Sequence, residues 1–435
     1  MEIETLKRSH VKRNIVIAVV VVAIISAIIL TFTKAKYKTT ESIPLVNGTI
    51  NYTPYDLKMV AMYQEENGEY KSIDTVPTSG YTLNEEKSYC EVNDTKDESI
   101  SMEYKDGKVY IGVSKKGTKC YLYFDVQLCQ GEACNTILAN KEIKTRSLPF
   151  TTSTKVTDTT TEVIYQAEDD WGDTYYFAGN PTDNWVKFAG FYWRIIRING
   201  DGSIRMIYQG TSANTTGTGT QLQESAFNSS YNRSEYVGYM YTSGQQHGNT
   251  TDSPIKDIVD SWYSSNLASY ADKISKEAGF CGDRNMASGY SWSSTPSSTI
   301  YYAGYGRLVQ KSSSVNPTFK CSNSTDLYTV SGSSKGNKAL SNPVGLITAD
   351  EVTMAGLPWS GSTTSNYLYT GQYYWTMSPY SFGGSFASVF RVDSDGSLNY
   401  SWVNNSFGVR PVINLRSDIT ILSGDGTSSN PYVIL

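Results

Sequence analysis

Acidic side chains are the residues of this sequence most able to do chemistry, because paired carboxylates can serve as acid and base in glycoside hydrolysis. The groups that qualify are Glu168-Asp169-Asp170 and Asp350-Glu351. Adjacent acids are common in proteins, and Thr348-Ala349-Asp350-Glu351 also has the spacing of a capping box in front of an apolar run. We therefore expect Asp350 and Glu351 to cap a helix rather than to catalyse.

Histidine and metal chemistry have little material in this chain. His10 and His247 are the only histidines, and His247 stands in a Gly-rich stretch, GQQHGNT, so a catalytic triad is not expected. The sequence contains no CxxC pair of the kind that binds zinc. The Asp-Gly segments at 199–202 and 393–396 resemble fragments of calcium loops, but neither is complete, and both are predicted to be turns. We expect no catalytic residue, no metal site and no cofactor.

The cysteines indicate an oxidising compartment, because their number is even and all of them follow residue 89. Cys129 and Cys134 are close enough in sequence to close a short loop. Cys90 is expected to pair with Cys120, and Cys281 with Cys321, although the four cysteines from Cys90 to Cys134 allow three pairings. These pairings place the domains that carry them outside the cell.

Composition favours a β-rich, loop-rich protein that does not bind nucleic acid. Only 18% of the residues are charged, and Ser, Thr, Asn, Gly and 34 tyrosines supply most of the polar surface. The net charge is -5, and no cluster of Lys and Arg follows the N-terminus. We predict an α+β fold class with a β-rich ectodomain.

The segment 15–33, IVIAVVVVAIISAIILTFT, carries no charge and is long enough to cross a bilayer as a helix. A cleaved signal peptide is the alternative, but it would have a shorter apolar region and a small-x-small site. Basic residues flank both ends, so the cysteines decide the orientation. We predict a cytoplasmic tail over 1–14, one transmembrane helix over 15–33, and an extracellular C-terminal ectodomain attached to the cell membrane.

The remaining chain is predicted to form two domains. Alternating apolar runs and an Asp106-Gly107 turn indicate a small β-sandwich-like spacer domain over 34–148, and 149–162 is a Thr-rich linker. The domain over 163–435 opens with a buried hairpin at 185–208. We predict helices after Ser253 and after Thr348, and strands again between 373 and 415.

Several motifs in the second domain resemble one family. They are YWTMSP, RVDSDGSL and GVRPVINL within 373–415, the hairpin WVKFAGFYWRIIRINGDGSIRMIY, AGFCGDRN at 278–285, NPTFKC at 316–321 and PVGLITADEVTMAG at 343–356. As a set they resemble an uncharacterised family of bacterial surface proteins with a C-type-lectin-like fold. The resemblance implies that fold for 163–435.

The same fold is shared by the variable proteins of diversity-generating retroelements and by formylglycine-generating enzymes. The enzymes use cysteines near the C-terminal core, and no cysteine follows Cys321 here, so their oxidase chemistry is not expected. The variable proteins display ligand-binding side chains between framework residues of the C-terminal segment. By that resemblance the expected ligand-binding residues are Tyr380, Phe382, Phe386, Tyr400, Trp402, Asn404, Asn405 and Phe407.

The function expected from topology and resemblance is that of a membrane-anchored extracellular binding or display protein. Its C-type-lectin-like domain is expected to meet a protein or glycan ligand, since aromatic and Asn side chains give large contact areas and adaptable hydrogen bonds. One alternative is a cell-surface hydrolase acting on cell-wall glycan. Another is a structural envelope protein without a soluble ligand.

Overall fold

The computed structural model describes residues 57–434 except for 67–68, 78–79, 106, 114, 140, 151–155, 157–162 and 312–313. The chain divides into two compact units between Gln127 and Leu128. The predicted Thr-rich linker over 149–162 lies mostly outside the described residues. Residues 128–148, which the sequence analysis assigns to the spacer domain, lie in the second unit, where the strand Glu142–Thr145 pairs with Val163–Asp169.

The first unit is β-rich, as predicted. Its strands are β1 (Leu57–Glu66), β2 (Glu69–Ile73), β3 (Tyr81–Leu83), β4 (Tyr89–Val92), β5 (Thr95–Lys96), β6 (Met102–Lys105), β7 (Lys108–Ile111) and β8 (Thr118–Val126). Six of them form a sheet in the order β2-β1-β8-β4-β5, with β3 also paired to β8. The strands β6 and β7 form the predicted hairpin around Gly107, and Val109 shares one buried core with Leu122 of the sheet.

The second unit contains the remaining elements. Its strands up to the long loops are β9 (Glu142–Thr145), β10 (Val163–Asp169), β11 (Gly172–Tyr176), β12 (Trp185–Phe188), β13 (Phe191–Ile198), β14 (Ile204–Gly210), β15 (Glu224–Ala226), β16 (Met240–Tyr241) and β17 (Thr251–Asp252). The later strands are β18 (Phe280–Cys281), β19 (Ile300–Tyr301), β20 (Leu327–Tyr328), β21 (Val344–Gly345), β22 (Tyr374–Gly383), β23 (Phe386–Val392), β24 (Leu398–Trp402), β25 (Ser406–Gly408), β26 (Val412–Leu415) and β27 (Tyr432–Ile434). The α-helices are α1 (Glu132–Leu138), α2 (Pro254–Asn266), α3 (Ala303–Leu308) and α4 (Ala349–Met354).

A nine-stranded sheet forms the centre of this unit, in the order β21-β26-β14-β13-β11-β10-β9, with β12 joining β13 to β27. The predicted hairpin at 185–208 is confirmed, because β13 and β14 pair in antiparallel register from Tyr192 to Ile204. Nearly every residue of both strands is buried. Because these strands are covered on both faces, apolar residues fall on both faces of each strand instead of alternating with exposed polar residues.

A second sheet of six strands carries the C-terminal segment, in the order β15-β25-β22-β23-β24 with β19 on β22. The loop from β22 to β23 is Gly384-Ser385, and both residues have positive φ, 59° and 73°. A two-residue loop of this kind matches the twist of the paired strands, and glycine adopts it without strain. The Gly-Gly-Ser sequence therefore sets the register that places Phe386 at the start of β23.

Both predicted helices are present. The helix α2 begins at Pro254 and ends at Asn266, and the 3-10 turn Ala268–Tyr270 follows it. The helix α4 has the predicted capping box: the Thr348 hydroxyl accepts the Glu351 N–H at 3.1 Å, and the Glu351 carboxylate accepts the Thr348 N–H at 3.0 Å. Glu351 therefore caps the helix as the sequence predicts, whereas Asp350 lies in its first turn and accepts hydrogen bonds from Arg307.

The predicted fold class includes a transmembrane helix, and this part of the prediction needs a correction. No helix among the described residues is long and apolar enough to cross a membrane. The longest, α2, has 13 residues, which span about 20 Å at about 1.5 Å per residue, against the ~30 Å of a bilayer core. The segment 15–33, to which the sequence analysis assigns the span, lies outside the described residues. The structure thus gives a β-rich fold without support for that helix.

The predicted disulfides are confirmed, including their pairing. Cys90 pairs with Cys120, Cys129 with Cys134, and Cys281 with Cys321. The first bridge joins the neighbouring strands β4 and β8, whose residues Cys90 and Cys120 lie opposite each other. All six cysteines are bonded. The second unit therefore contains two cross-links and the first unit one.

Candidate binding surface

The eight residues predicted to bind a ligand lie on β22, β23, β24, β25 and the turn before β25, but the structure separates them by burial. Tyr380 and Phe382 are buried, with 6% and 4% of their surface exposed. Phe386, Asn405 and Phe407 are half-buried. Tyr400, Trp402 and Asn404 are exposed. The exposed members belong to β24 and the turn after it.

Three aromatic rings form a continuous stack on this sheet, which we name the Trp402 stack. The Phe386 ring lies between the other two: its centroid is 4.3 Å from that of Trp402 and 5.0 Å from that of Tyr231, with planes within 17° of parallel in both pairs. Trp402 is 47% exposed and Tyr231 38%. Rings stacked in this way hold one another in place, so the stack is a rigid apolar surface.

Tyr231 was not predicted from the sequence. It lies in a polar stretch, FNSSYNRSEY, without an apolar period that would single it out. Its backbone carbonyl accepts the N–H of Ala387 at 2.8 Å, which fixes this loop beside the start of β23. Only its contact with Phe386, which is distant in sequence, shows that the Tyr231 ring extends the Trp402 stack.

A second aromatic group continues the same side of the sheet. Tyr400 stacks on Tyr380 with a centroid distance of 4.0 Å, and the Trp359 ring is parallel to both. Tyr301 and Tyr305 pack edge-on against Tyr380 at 5.8 and 5.6 Å. Tyr380 is therefore covered by its neighbours and supports the exposed ring of Tyr400.

Phe407 belongs to a different environment from the Trp402 stack. Its ring packs against Trp375 at 5.0 Å and lies 4.5 Å from the guanidinium of Arg391. Because side chains alternate along a strand, Arg391 points to the opposite face of β23 from Phe386 and Phe390. The predicted set thus includes residues from both faces of the sheet.

The displayed strands carry few charges. Between Tyr374 and Gly408 the charged residues are Arg391, Asp393 and Asp395. Arg391 Nε donates to Asp393 Oδ1 at 2.6 Å, and Asp395 Oδ1 accepts the Ser397 N–H at 3.0 Å within the turn before β24. The second Asp-Gly segment is therefore a turn, as predicted. Arg391 and Asp393 are paired and Asp395 lies in the turn, which leaves the strands β22 to β25 without an unpaired charge.

Among the acidic residues considered for catalysis, Asp350 and Glu351 are paired with arginines. Glu351 lies 3.1 Å from Arg197 Nε and 2.5 Å from Arg205 Nε, and Asp350 accepts two hydrogen bonds of 2.9 Å from Arg307. A cavity of about 20 Å³ borders these acids, which holds about one water molecule. A sugar ring does not fit there.

His247 is not the isolated loop residue that the sequence suggests. Its Nδ1 lies 2.9 Å from Asp326 Oδ2, and the other oxygen of Asp326 accepts two hydrogen bonds from the buried Arg284. Burial raises the pKa of the Asp326 carboxyl, but His247 and Arg284 outweigh that effect and lower it. This group fixes the loop that contains His247.

Comparisons of this chain with protein-family models, with curated proteins and with solved structures found no match. The resemblance to bacterial surface proteins with a C-type-lectin-like fold therefore stays a prediction from its motifs.

Proposed function

We propose that this chain is an extracellular binding protein that recognises a protein partner through the Trp402 stack and the neighbouring Tyr400. The observation that carries this proposal is an exposed, uncharged aromatic surface on a rigid sheet. The three disulfides support an extracellular location, because such bonds persist in oxidising compartments. The C-type-lectin-like fold implied by the motifs is part of the same proposal.

A protein partner suits this surface better than a glycan does. Within the Trp402 stack the Phe386 ring is covered on both faces by rings whose centroids lie 4.3 and 5.0 Å away, so the stack leaves one face each of Trp402 and Tyr231 uncovered. A protein segment can pack against these two faces and against the ring edges between them. Exposed tryptophan and tyrosine side chains are the residues that most often dominate the energy of protein interfaces. Their rigidity lowers the entropic cost of binding.

The absence of unpaired charge on the displayed strands narrows the kind of partner. With Arg391 and Asp393 paired, the surface offers aromatic rings and the amides of Asn404 and Asn405. We expect an uncharged epitope that buries apolar area and accepts a few hydrogen bonds at its rim. We also expect binding to change little with salt, since the strands β22 to β25 carry no unpaired charge and the carboxylate of Asp395 lies outside them in a turn.

An affinity capture from the extracellular medium of the native environment tests the proposal. Full-length wild-type protein is compared with Tyr400→Ala/Trp402→Ala and with Leu422→Ala, an exposed apolar residue outside the surface. A partner protein should be captured by the wild type and by the Leu422 variant and lost by the double variant. With purified partner, the double variant should bind at least about 30-fold more weakly, the equivalent of about 2 kcal/mol.

Two results would contradict the proposal. In one, the double variant captures the same proteins as the wild type. In the other, a glycan array shows that the surface binds an oligosaccharide and loses it in the double variant. Circular dichroism and thermal unfolding confirm that each variant is folded, which is expected because Tyr400 and Trp402 are 40% and 47% exposed.

A further inference from the structure

A cleft with a volume of about 550 Å³ lies between the helix α2 and the segment before β15. This size falls in the range of about 300 to 1,000 Å³ typical of small-molecule sites. Its lining residues are Tyr208, Gln221, Leu222, Gln223, Asp257, Ile258, Ser261, Trp262, Ser265 and Asn266. None of the residues of the Trp402 stack contributes to it.

The apolar wall of the cleft is a half-buried tryptophan. The Trp262 indole meets Phe191, Trp193 and Tyr208 with interplanar angles of 54°, 61° and 76°. No ring of this cluster lies parallel to the indole, in contrast to the rings of the Trp402 stack. Among the described residues, the indole Nε1 has no hydrogen-bond partner. Trp262 therefore lines the cleft with an indole on which no neighbouring ring stacks in parallel, and with a donor that has no partner among the described residues.

Polar side chains also line the cleft. Gln221 is 8% exposed, and its Oε1 is buried beside Gly408 without a hydrogen bond. Gln223, Asp257 and Ser261 are exposed at the rim, and no described residue donates a hydrogen bond to the Asp257 carboxylate. A buried amide left unpaired costs free energy, so the fold retains an unsatisfied group at this site.

The charges of the lining exclude acidic ligands. No Lys or Arg is among the lining residues, and Asp257 is the one ionisable carboxylate there. A phosphate, sulfate or carboxylate ligand would meet a negative charge without a compensating cation. A neutral ligand with several hydroxyls meets amide and hydroxyl groups, which donate and accept hydrogen bonds, and a carboxylate, which accepts them.

We propose that this cleft binds a neutral sugar residue, whose apolar C–H face lies on the Trp262 indole while its hydroxyls bond to Gln223, Asp257 and Ser261. A pyranose ring presents one apolar face and a rim of hydroxyls, which matches an aromatic wall opposite a polar rim. The site is distinct from the aromatic surface proposed to bind a protein. It stands whether or not that surface has a partner.

Filling the cleft from its exposed rim tests the proposal without removing a core residue. Ser261→Trp places a large side chain in the cleft, and Ser269→Trp is the matched control, because Ser269 is exposed and lies outside the lining. The full-length proteins are applied to an array of neutral oligosaccharides. Soluble oligomers of glucose, galactose and N-acetylglucosamine are then titrated, with the change in tryptophan fluorescence as the readout.

We expect the wild type and Ser269→Trp to bind at least one neutral oligosaccharide and Ser261→Trp to bind it at least tenfold more weakly. If Ser261→Trp does not fold, Gln223→Trp fills the same cleft from the opposite wall. The proposal is overturned if no neutral oligosaccharide binds, if only acidic glycans bind, or if the cleft-filling and control variants weaken binding equally. Tyr400→Ala/Trp402→Ala should leave sugar binding unchanged, which separates this result from that of the protein-binding surface.

Discussion

The ring of Tyr400 lies flat on the ring of Tyr380, with centroids 4.0 Å apart and planes 12° apart. One member of the pair is exposed and the other buried, since 40% of Tyr400 and 6% of Tyr380 is accessible. Tyr380 also meets Phe390 edge-on at 5.0 Å. The pair connects the displayed surface to the core, because the buried Tyr380 ring supports the exposed Tyr400 ring. The Tyr400 ring remains available for contact with a binding partner.

The two tyrosines should therefore differ in their contribution to stability. Tyr380→Ala removes a buried ring and should lower the free energy of unfolding by about 3–5 kcal/mol, as other large aromatic deletions do. Tyr400→Ala loses mainly its stacking and should cost about 1 kcal/mol. Urea denaturation followed by tryptophan fluorescence measures both. Equal losses would show that the pair is not divided into a supporting and a displayed residue.

The sequence predicts which side chains of β23 and β24 share a face of the sheet, because side chains alternate between the two faces along a strand. Tyr400 and Trp402 are two residues apart, so their side chains point to the same side of the sheet. It does not predict the burial of Tyr380 and Phe382, because β22 is covered on both faces. The strand that pairs with Phe382 begins at Ile300, about 80 residues away in a polar loop, and nothing in the local pattern indicates that contact.

The cleft beside Trp262 is a second feature that the sequence pattern does not predict. The helical spacing of Trp262 with Ile255 and Val259 predicts an inward position, and the structure confirms the helix. The cleft beside it depends on the segment at Gln221, which lies 41 positions earlier and has no regular pattern of its own. Local features such as the Thr348 capping box are predictable because all their atoms belong to one short segment. A cleft, in contrast, is formed by segments that are distant in sequence.

Replacing Glu351 should destabilise the second unit strongly. Glu351 is 2% exposed and bridges Arg197 and Arg205. In Glu351→Gln the buried Arg205 loses its carboxylate partner, whereas Arg197 keeps Asp169. The expected loss is about 3–5 kcal/mol in the free energy of unfolding. Glu168→Gln is the control, because Glu168 pairs with Lys320 at the surface, and little change is expected there. A loss no larger than that of the control would contradict this role.

The same carboxylate should make stability depend on acid pH. Burial raises the pKa of Glu351, but the charges of Arg205 and Arg197 outweigh burial and lower it. A group whose pKa is lower in the folded state stabilises the fold above its unfolded value of about 4.3. That stability is lost as the pH falls below this value through the folded pKa. Thermal unfolding between pH 7 and pH 3 should show a decline that is smaller in Glu351→Gln, and an unchanged decline would contradict the prediction.

The disulfides should differ in their effect according to the loops they close. The Cys90–Cys120 bond closes a separation of 30 residues and the Cys129–Cys134 bond one of 5. Loop-closure entropy then gives about 3.6 and about 2 kcal/mol, respectively. Cys90→Ser/Cys120→Ser should therefore destabilise the first unit more than Cys129→Ser/Cys134→Ser destabilises the second. Proteolysis of each unit under native conditions measures the two losses separately, and the reverse order would contradict the entropic argument.

Gly408 couples the displayed sheet to the sugar cleft. A Cβ at this position would lie 1.9 Å from Gln221 Oε1 and 2.9 Å from the Tyr373 carbonyl. Gly408→Ala should therefore cost about 1–3 kcal/mol through overpacking, whereas Gln221→Ala should cost less, because its Oε1 has no hydrogen bond to lose.

The double variant Gly408→Ala/Gln221→Ala tests the coupling. Removing the glutamine side chain relieves the closer clash, so the double variant should be more stable than Gly408→Ala alone, although the contact with the Tyr373 carbonyl remains. Chemical denaturation of the four proteins in this cycle gives the interaction energy. If the two losses simply add, Gln221 is not the group that requires glycine at position 408, and the demand for glycine comes from the backbone of Tyr373.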